Sequence, residues 1–203
     1  VARILFSIPR GSSFWDDADI VYSTGDDNAD DVSSVDEAHA GWYMPGMYKV
    51  GTDLPAGTYR ADALDSSGYY CVSSDSSGRT DAILFNDIFD AFAYFTVEEG
   101  QYLELSRCAA LLSEQVPAES PRDGGFSDGV FRIGVDIAPG EYRIVCLSDS
   151  GYYRLTADAD CEDQQIVSSG YIEGSRYLTV EDGQYLELSG GAQLELPDAQ
   201  SFV

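Results

Sequence analysis

Lysine occurs once in these 203 residues, at Lys49, and histidine once, at His39. With a single histidine, a Ser/His/Asp or Cys/His nucleophilic site has at most one base, and no nucleophile-elbow motif surrounds it. His39 therefore reads as a surface residue. No GxxxxGK phosphate loop is present. No CxxC or Cys/His cluster supplies zinc-ligand or thioredoxin-like spacing. No apolar run approaches the roughly 20 residues of a membrane-spanning helix, and no stretch carries a helical hydrophobic period. Positive charge is scarce altogether: 11 Lys and Arg face 36 Asp and Glu, for a net charge of −25. Such a surface repels phosphate backbones and anionic lipid, which excludes nucleic acid as a partner. The chain opens on Val1 with no signal-peptide pattern, the reading of a mature or trimmed fragment.

What is present points to β structure. Hydrophobic residues make up 44%, enough for a packed core, and 20 Gly and 14 Tyr punctuate short segments. Four cysteines, Cys71, Cys108, Cys146 and Cys161, are two to each half. Disulfides in an oxidising compartment are the expectation. Of the three possible pairings, Cys71–Cys108 and Cys146–Cys161 keep each bridge within one half.

The chain repeats itself. Residues 46–107 align with 129–190 without a gap at an offset of 83, with 24 identities in 62 positions. "GTDLPAGTYR" (51–60) faces "GVDIAPGEYR" (134–143), and "YFTVEEGQYLELS" (94–106) faces "YLTVEDGQYLELS" (177–189). Each copy reads as about six short strands. Tyr59, Ala61 and Ala63, like Tyr142, Ile144 and Cys146, share an inward face by their period of two. Leu103 and Leu105, like Leu186 and Leu188, do the same, which turns Tyr102 and Glu104 outward. Gly100 and Gly183 stand where a hairpin turn needs positive φ. Asp53 and Asp136 precede a Pro/Gly turn, where a short carboxylate bonds backbone N–H groups. Arg60 and Arg143 point outward to pair with exposed acids. The expected fold is all-β: two tandem small β-sandwich or jelly-roll-like modules with an N-terminal extended arm. The expected divisions are a strand and acidic linker over 1–40, modules over 41–113 and 124–198, and a linker over 114–123.

Candidate sites are few. Asp26, Asn28, Asp30, Ser34 and Glu37 fall at calcium-ligand positions of an EF-hand loop, so Ca2+ is the one cofactor with a candidate set. Asp31 stands where that loop needs glycine, and its flanks do not read as helices, so a solvated acidic loop competes. The pairs Tyr69–Tyr70 and Tyr152–Tyr153 each turn one ring outward. Tyr69 and Tyr152 are the candidate ligand-binding rings. An intramolecular isopeptide bond has only Lys49 as its amine, and the repeat places Arg132 there. Ala2, Ile4, Phe6 and Ile8 alternate along "VARILFSI", a strand without a partner of its own, suited to donation to a neighbouring sheet edge.

"YKVGTDLPAG" with "GQYLEL" resembles the opening and closing of a module found in secreted and lipoprotein-like surface proteins of Gram-positive bacteria. The second copy departs at "IAPG", where the proline has moved by one place. The resemblance implies an extracellular or cell-surface setting and an accessory role, and it carries no catalytic residues. The expected function is therefore a non-enzymatic surface module for display, adhesion or binding, with a protein, a glycan or further copies of itself as partner. One alternative is a subunit of a surface filament or pilus assembled by donation of strand 1–8. Another is a secreted enzyme acting on polysaccharide.

Overall fold

The computed structural model describes residues 39–159 and 165–196. The donor strand 1–8, the calcium candidates Asp26, Asn28, Asp30, Ser34 and Glu37, and Cys161 lie outside the described residues.

The architecture is all-β and antiparallel. The N-terminal unit contains β1 (Gly46–Lys49), β2 (Gly57–Ala63), β3 (Gly68–Ser73), β4 (Ile83–Phe89), β5 (Phe92–Val97), β6 (Tyr102–Ser106) and β7 (Cys108–Leu112). Pairing is nested: β3 with β4, β2 with β5, and β1 with β6. A long hairpin rolled in this way is a jelly-roll wrap. It leaves two layers, β1-β6-β3-β4 and β5-β2-β7. Between them lies a core of Tyr59, Ala61, Tyr70, Val72, Phe95, Leu103 and Leu105 among others.

The C-terminal unit contains β8 (Gly125–Arg132), β9 (Gly140–Cys146), β10 (Gly151–Thr156), β11 (Ile166–Ile172), β12 (Ser175–Val180) and β13 (Tyr185–Glu195). Strands β9 to β12 begin and end 83 residues after β2 to β5. A second core of Ile144, Tyr153, Leu155, Leu178, Leu186 and Leu188 fills this unit. Its long β13 does the work of β6 and β7 together: its first half pairs with β10 and β8, and its second half with β8 again and with β9. The corner is made by left-handed backbone at Gly190 (φ 63°), where Arg107 (φ 54°) breaks β6 from β7 in the other unit.

The local expectations hold in both units. The inward faces predicted for β2, β6, β9 and β13 are buried or packed on the cores. Gly100 and Gly183 have φ of 89° and 84°. Asp53 accepts the Lys49 N–H at 2.7 Å, and Asp136 accepts the Arg132 N–H at 2.7 Å. The Tyr59 hydroxyl closes the same turn onto the Pro55 carbonyl, and Tyr142 does so onto Ala138.

Among the described residues no disulfide forms, and the Cys71–Cys108 expectation fails. Cys71, Cys108 and Cys146 are free thiols. Cys108 sits inside the core and donates to the Tyr69 carbonyl at 3.1 Å. Cys71 lies between Tyr70 and Val72, which both face the core, so its side chain turns to the opposite face, 3.6 Å from the Ser73 hydroxyl. A bridge cannot pass through the sheet.

Arg60 also departs from expectation. It does point outward from β2, but that face is covered, and Arg60 is only 6% exposed. The outer face of β5 and β2 packs on β8 of the second unit. Phe92 meets Phe131 edge-to-face at 5.3 Å, and the Arg60 guanidinium lies 4.0 Å from the Phe92 ring. Tyr94 packs with Val130 and Ala159 and contacts Tyr185. A Cβ on Gly129 would fall 2.4 Å from the Phe92 ring, so glycine permits the approach.

The segment between the units is held rather than loose. The Arg132 guanidinium donates to the carbonyls of Ser113, Val116 and Pro117 and to the Asp136 carboxylate. Asp136 also accepts the Glu119 N–H at 2.8 Å, and the Glu119 carboxylate accepts Arg60. Burial by itself would push the Asp136 carboxyl up; the hydrogen bonds from Arg132 and from two backbone N–H groups outweigh it, and the net direction is down.

Two outcomes follow for stability. Asp136→Asn leaves a buried guanidinium short of its charge partner and lowers unfolding free energy by about 3 kcal/mol, whereas Asp53→Asn, at the exposed repeat position, changes it by about 1 kcal/mol or less. A depressed carboxyl stabilises above its unfolded value, about 3.9, and the contribution fades as pH falls through the folded value. Urea titrations from neutral pH to below about pH 4 should therefore show a loss in the wild type that Asp136→Asn lacks. Separately, Gly129→Ala should destabilise by about 1–3 kcal/mol more than Gly46→Ala, since only Gly129 faces a ring of the other unit. Equal effects at 129 and 46 would show that the units do not press together there.

Candidate functional site

Docking one sheet face on another leaves a cleft beside the contact, with a volume of about 340 Å³. One wall is the β4–β5 corner, with Asp87, Ile88, Asp90 and Phe92; the other is the outer face of β8, β10 and β13, with Asp128, Tyr152, Arg154, Glu187 and Ser189. A smaller space of about 170 Å³ lies against Phe92, Arg60 and Arg122.

Strand register explains the far wall. Tyr152 and Arg154 are two apart on β10, so they share a face. Arg154 stands opposite Glu187 on β13 and opposite Ser169 on β11. Its guanidinium meets the Glu187 carboxylate at 2.7 Å, with both side chains largely covered. Tyr152 stands opposite Tyr171, and their rings lie 5.3 Å apart. Tyr171 is 78% exposed, so the aromatic surface continues outward from the cleft.

Electrostatically the cleft is acidic, with four carboxylates and one guanidinium. Burial pushes the Glu187 carboxyl up; the Arg154 charge pulls it down, the Asp87 charge pushes it up again, and the net direction is up. Asp87 keeps solvent access at the cleft mouth, yet the protein around it displaces enough water to raise its carboxyl as well, against the Ile88 N–H and Arg154. Arg154 is thus shared between two acids that each hold their protons more tightly than usual.

The two sequence candidates separate here. Tyr152 lines the cleft. Tyr69, its repeat counterpart, faces outward on β3, where its hydroxyl accepts from the Asn86 amide at 3.2 Å, and takes no part in the cleft. His39 lies beside Trp42 and 3.8 Å from Asp62, also away from the cleft lining. The residues not anticipated are Asp87, Phe92, Arg154 and Tyr171. A signal for them exists in the repeat: they are where the copies diverge, with Gly170, Ser175, Cys71 and Ile88 at the matching places.

The chain matches no family model, no curated protein and no solved structure.

Carboxyl-carbon NMR titration should find Glu187 and Asp87 above the ordinary values of about 4.3 and 3.9. Arg154→Met should raise both further, because it removes the one cation they share. An unchanged Asp87 in that variant would show that Arg154 does not act across the cleft.

Proposed function

We propose that the chain is a non-enzymatic extracellular binding module, and that its ligand is a glycan held in the cleft between the units. The observation that carries this reading is the Tyr152–Tyr171 ring pair placed beside the Arg154–Glu187 pair at the mouth of a 340 Å³ opening. Flat rings offer a stacking surface to the apolar face of a sugar, and paired carboxylate and guanidinium groups hydrogen-bond its hydroxyls. Ligand sites combine a concave surface with a few converging polar groups in this way. Four acids against one base disfavour sulfated or uronic sugars and leave neutral or amino sugars. The extracellular setting rests on the resemblance of "YKVGTDLPAG" and "GQYLEL" to Gram-positive surface modules. Recurrence at 83 residues reads as duplication of one unit, with the cleft formed afterwards at the joint between the copies.

A second reading, polysaccharide hydrolysis, draws on the raised carboxyls of Asp87 and Glu187, since glycosidases need one protonated and one ionised carboxyl. Against it, Glu187 is committed to Arg154, an arrangement that serves binding better than proton transfer.

A glycan array followed by calorimetry decides between them. The expected result is a neutral or amino glycan that binds without release of new reducing ends. Tyr152→Ala should weaken it at least tenfold, and Tyr69→Ala should not. An array with no bound glycan sinks the proposal. Reducing ends that appear with wild type and vanish with Glu187→Gln would establish the hydrolase instead.

A further inference from the structure

The contact between the two units is a template, and each unit uses a different half of it. The N-terminal unit docks with the outer face of β2 and β5, through Arg60, Phe92 and Tyr94. The C-terminal unit receives with the outer face of β8 and β13, through Val130, Arg132 and Tyr185. At an offset of 83, Tyr177 stands where Tyr94 docks, and Met47 stands where Val130 receives. Tyr94 is 1% exposed and Tyr177 68%; Val130 is 6% exposed and Met47 50%. Each unit therefore keeps uncovered the half that the other has used.

We infer that these two open faces meet between chains: the β9–β12 face of one copy, centred on Tyr177, docks on the β1–β6 face of a second copy, centred on Met47. In the template the Arg132 guanidinium lies 5.4 Å from the Tyr94 ring. In the contact between copies Lys49, the chain's one lysine and the counterpart of Arg132, takes that place opposite Tyr177. The two faces are different surfaces, so the contact is heterologous, and it propagates head to tail instead of closing on itself as a symmetric dimer does.

Its strength is bounded by the same comparison. Within the chain, the connecting segment supplies an effective concentration in the millimolar range, which a second copy lacks. Ser175 replaces Phe92, so the ring that fills the template contact is missing. Copies with a net charge of −25 repel each other until salt screens them. Association is therefore weak, favoured by salt, and open to strengthening at one position.

Sedimentation of the full chain tests this. Ser175→Phe restores the missing ring and should tighten self-association at least tenfold, more so at higher salt. In that background Tyr177→Asp removes the docking face and Met47→Asp the receiving face. Both positions are exposed, and circular dichroism checks that the variants fold. Each double variant alone should stay monomeric. Mixed, they should form a one-to-one heterodimer that grows no further, since one good face remains on each. The inference is overturned if Ser175→Phe stays monomeric at millimolar protein, if either aspartate variant still self-associates, or if the mixture does not pair. Association that survives both aspartates and disappears on deletion of residues 1–8 would replace it with strand donation.

Discussion

A guanidinium removed from water must find acceptors on several sides or it destabilises the fold that buries it. Arg60 and Arg132 are both buried against the joint between the units, and their acceptors form one continuous chain. Arg60 is met by Asp62 and Glu119, the Glu119 backbone leads to Asp136, and Asp136 with three carbonyls of the connecting segment surrounds Arg132. The connecting segment is thereby an acceptor set as well as a tether. With it held, the relative placement of the units follows, and Phe92 is half-buried and Tyr94 fully buried in a contact that no single unit would make.

The cleft is a consequence of that placement. Its near wall belongs to the β4–β5 corner, which is carried by the first unit, and its far wall to β10 and β13 of the second. Neither wall encloses anything alone. Arg154 and Glu187 would form an ordinary cross-strand pair on an open sheet, worth little in water. Beneath the corner they lose hydration, and the carboxyls of Glu187 and Asp87 shift upward in response. Chemistry at this site therefore depends on the joint, though none of its groups belongs to the Arg60–Arg132 chain.

Much of each unit was legible in the sequence because alternation reports directly on the two faces of a strand. Alternation places Tyr59, Ile144, Leu103 and Leu186 inward, and the short carboxylate before Pro and Gly accounts for the Asp53 and Asp136 turns. Alternation stops at the word outward. It cannot say which outward face meets water and which meets another sheet, so Arg60 read as an exposed ion-pair residue when it is enclosed. The disulfide expectation failed for a related reason. Counting cysteines to each half ignores face, and Cys71 and Cys108 stand on opposite sides of β3. The period of two turns both Tyr152 and Tyr69 outward, and only the docking of the units distinguishes them. Differences between the two aligned segments carry the missing information: Arg154 against Cys71, and Phe92 against Ser175.

Charge distribution explains why the joint is built from arginine in so acidic a chain. In a chain whose net charge is −25, two acidic units repel across any contact they form. A purely apolar joint would have to overcome that repulsion by area alone. Setting Arg60, Arg132 and Arg154, three of only 11 bases, at or beside the joint places positive charge between the two acidic bodies, where it acts on both. Arginine suits the position better than lysine because its planar fork serves several acceptors at once and stacks on the rings of Phe92 and Tyr94. Lys49 occupies the equivalent of Arg132 on the face that the chain's own second unit leaves uncovered, where its ammonium lies over the Tyr102 ring and no carbonyls are gathered. The difference between Lys49 and Arg132 is thus the difference between a face left uncovered within the chain and a face joined within it.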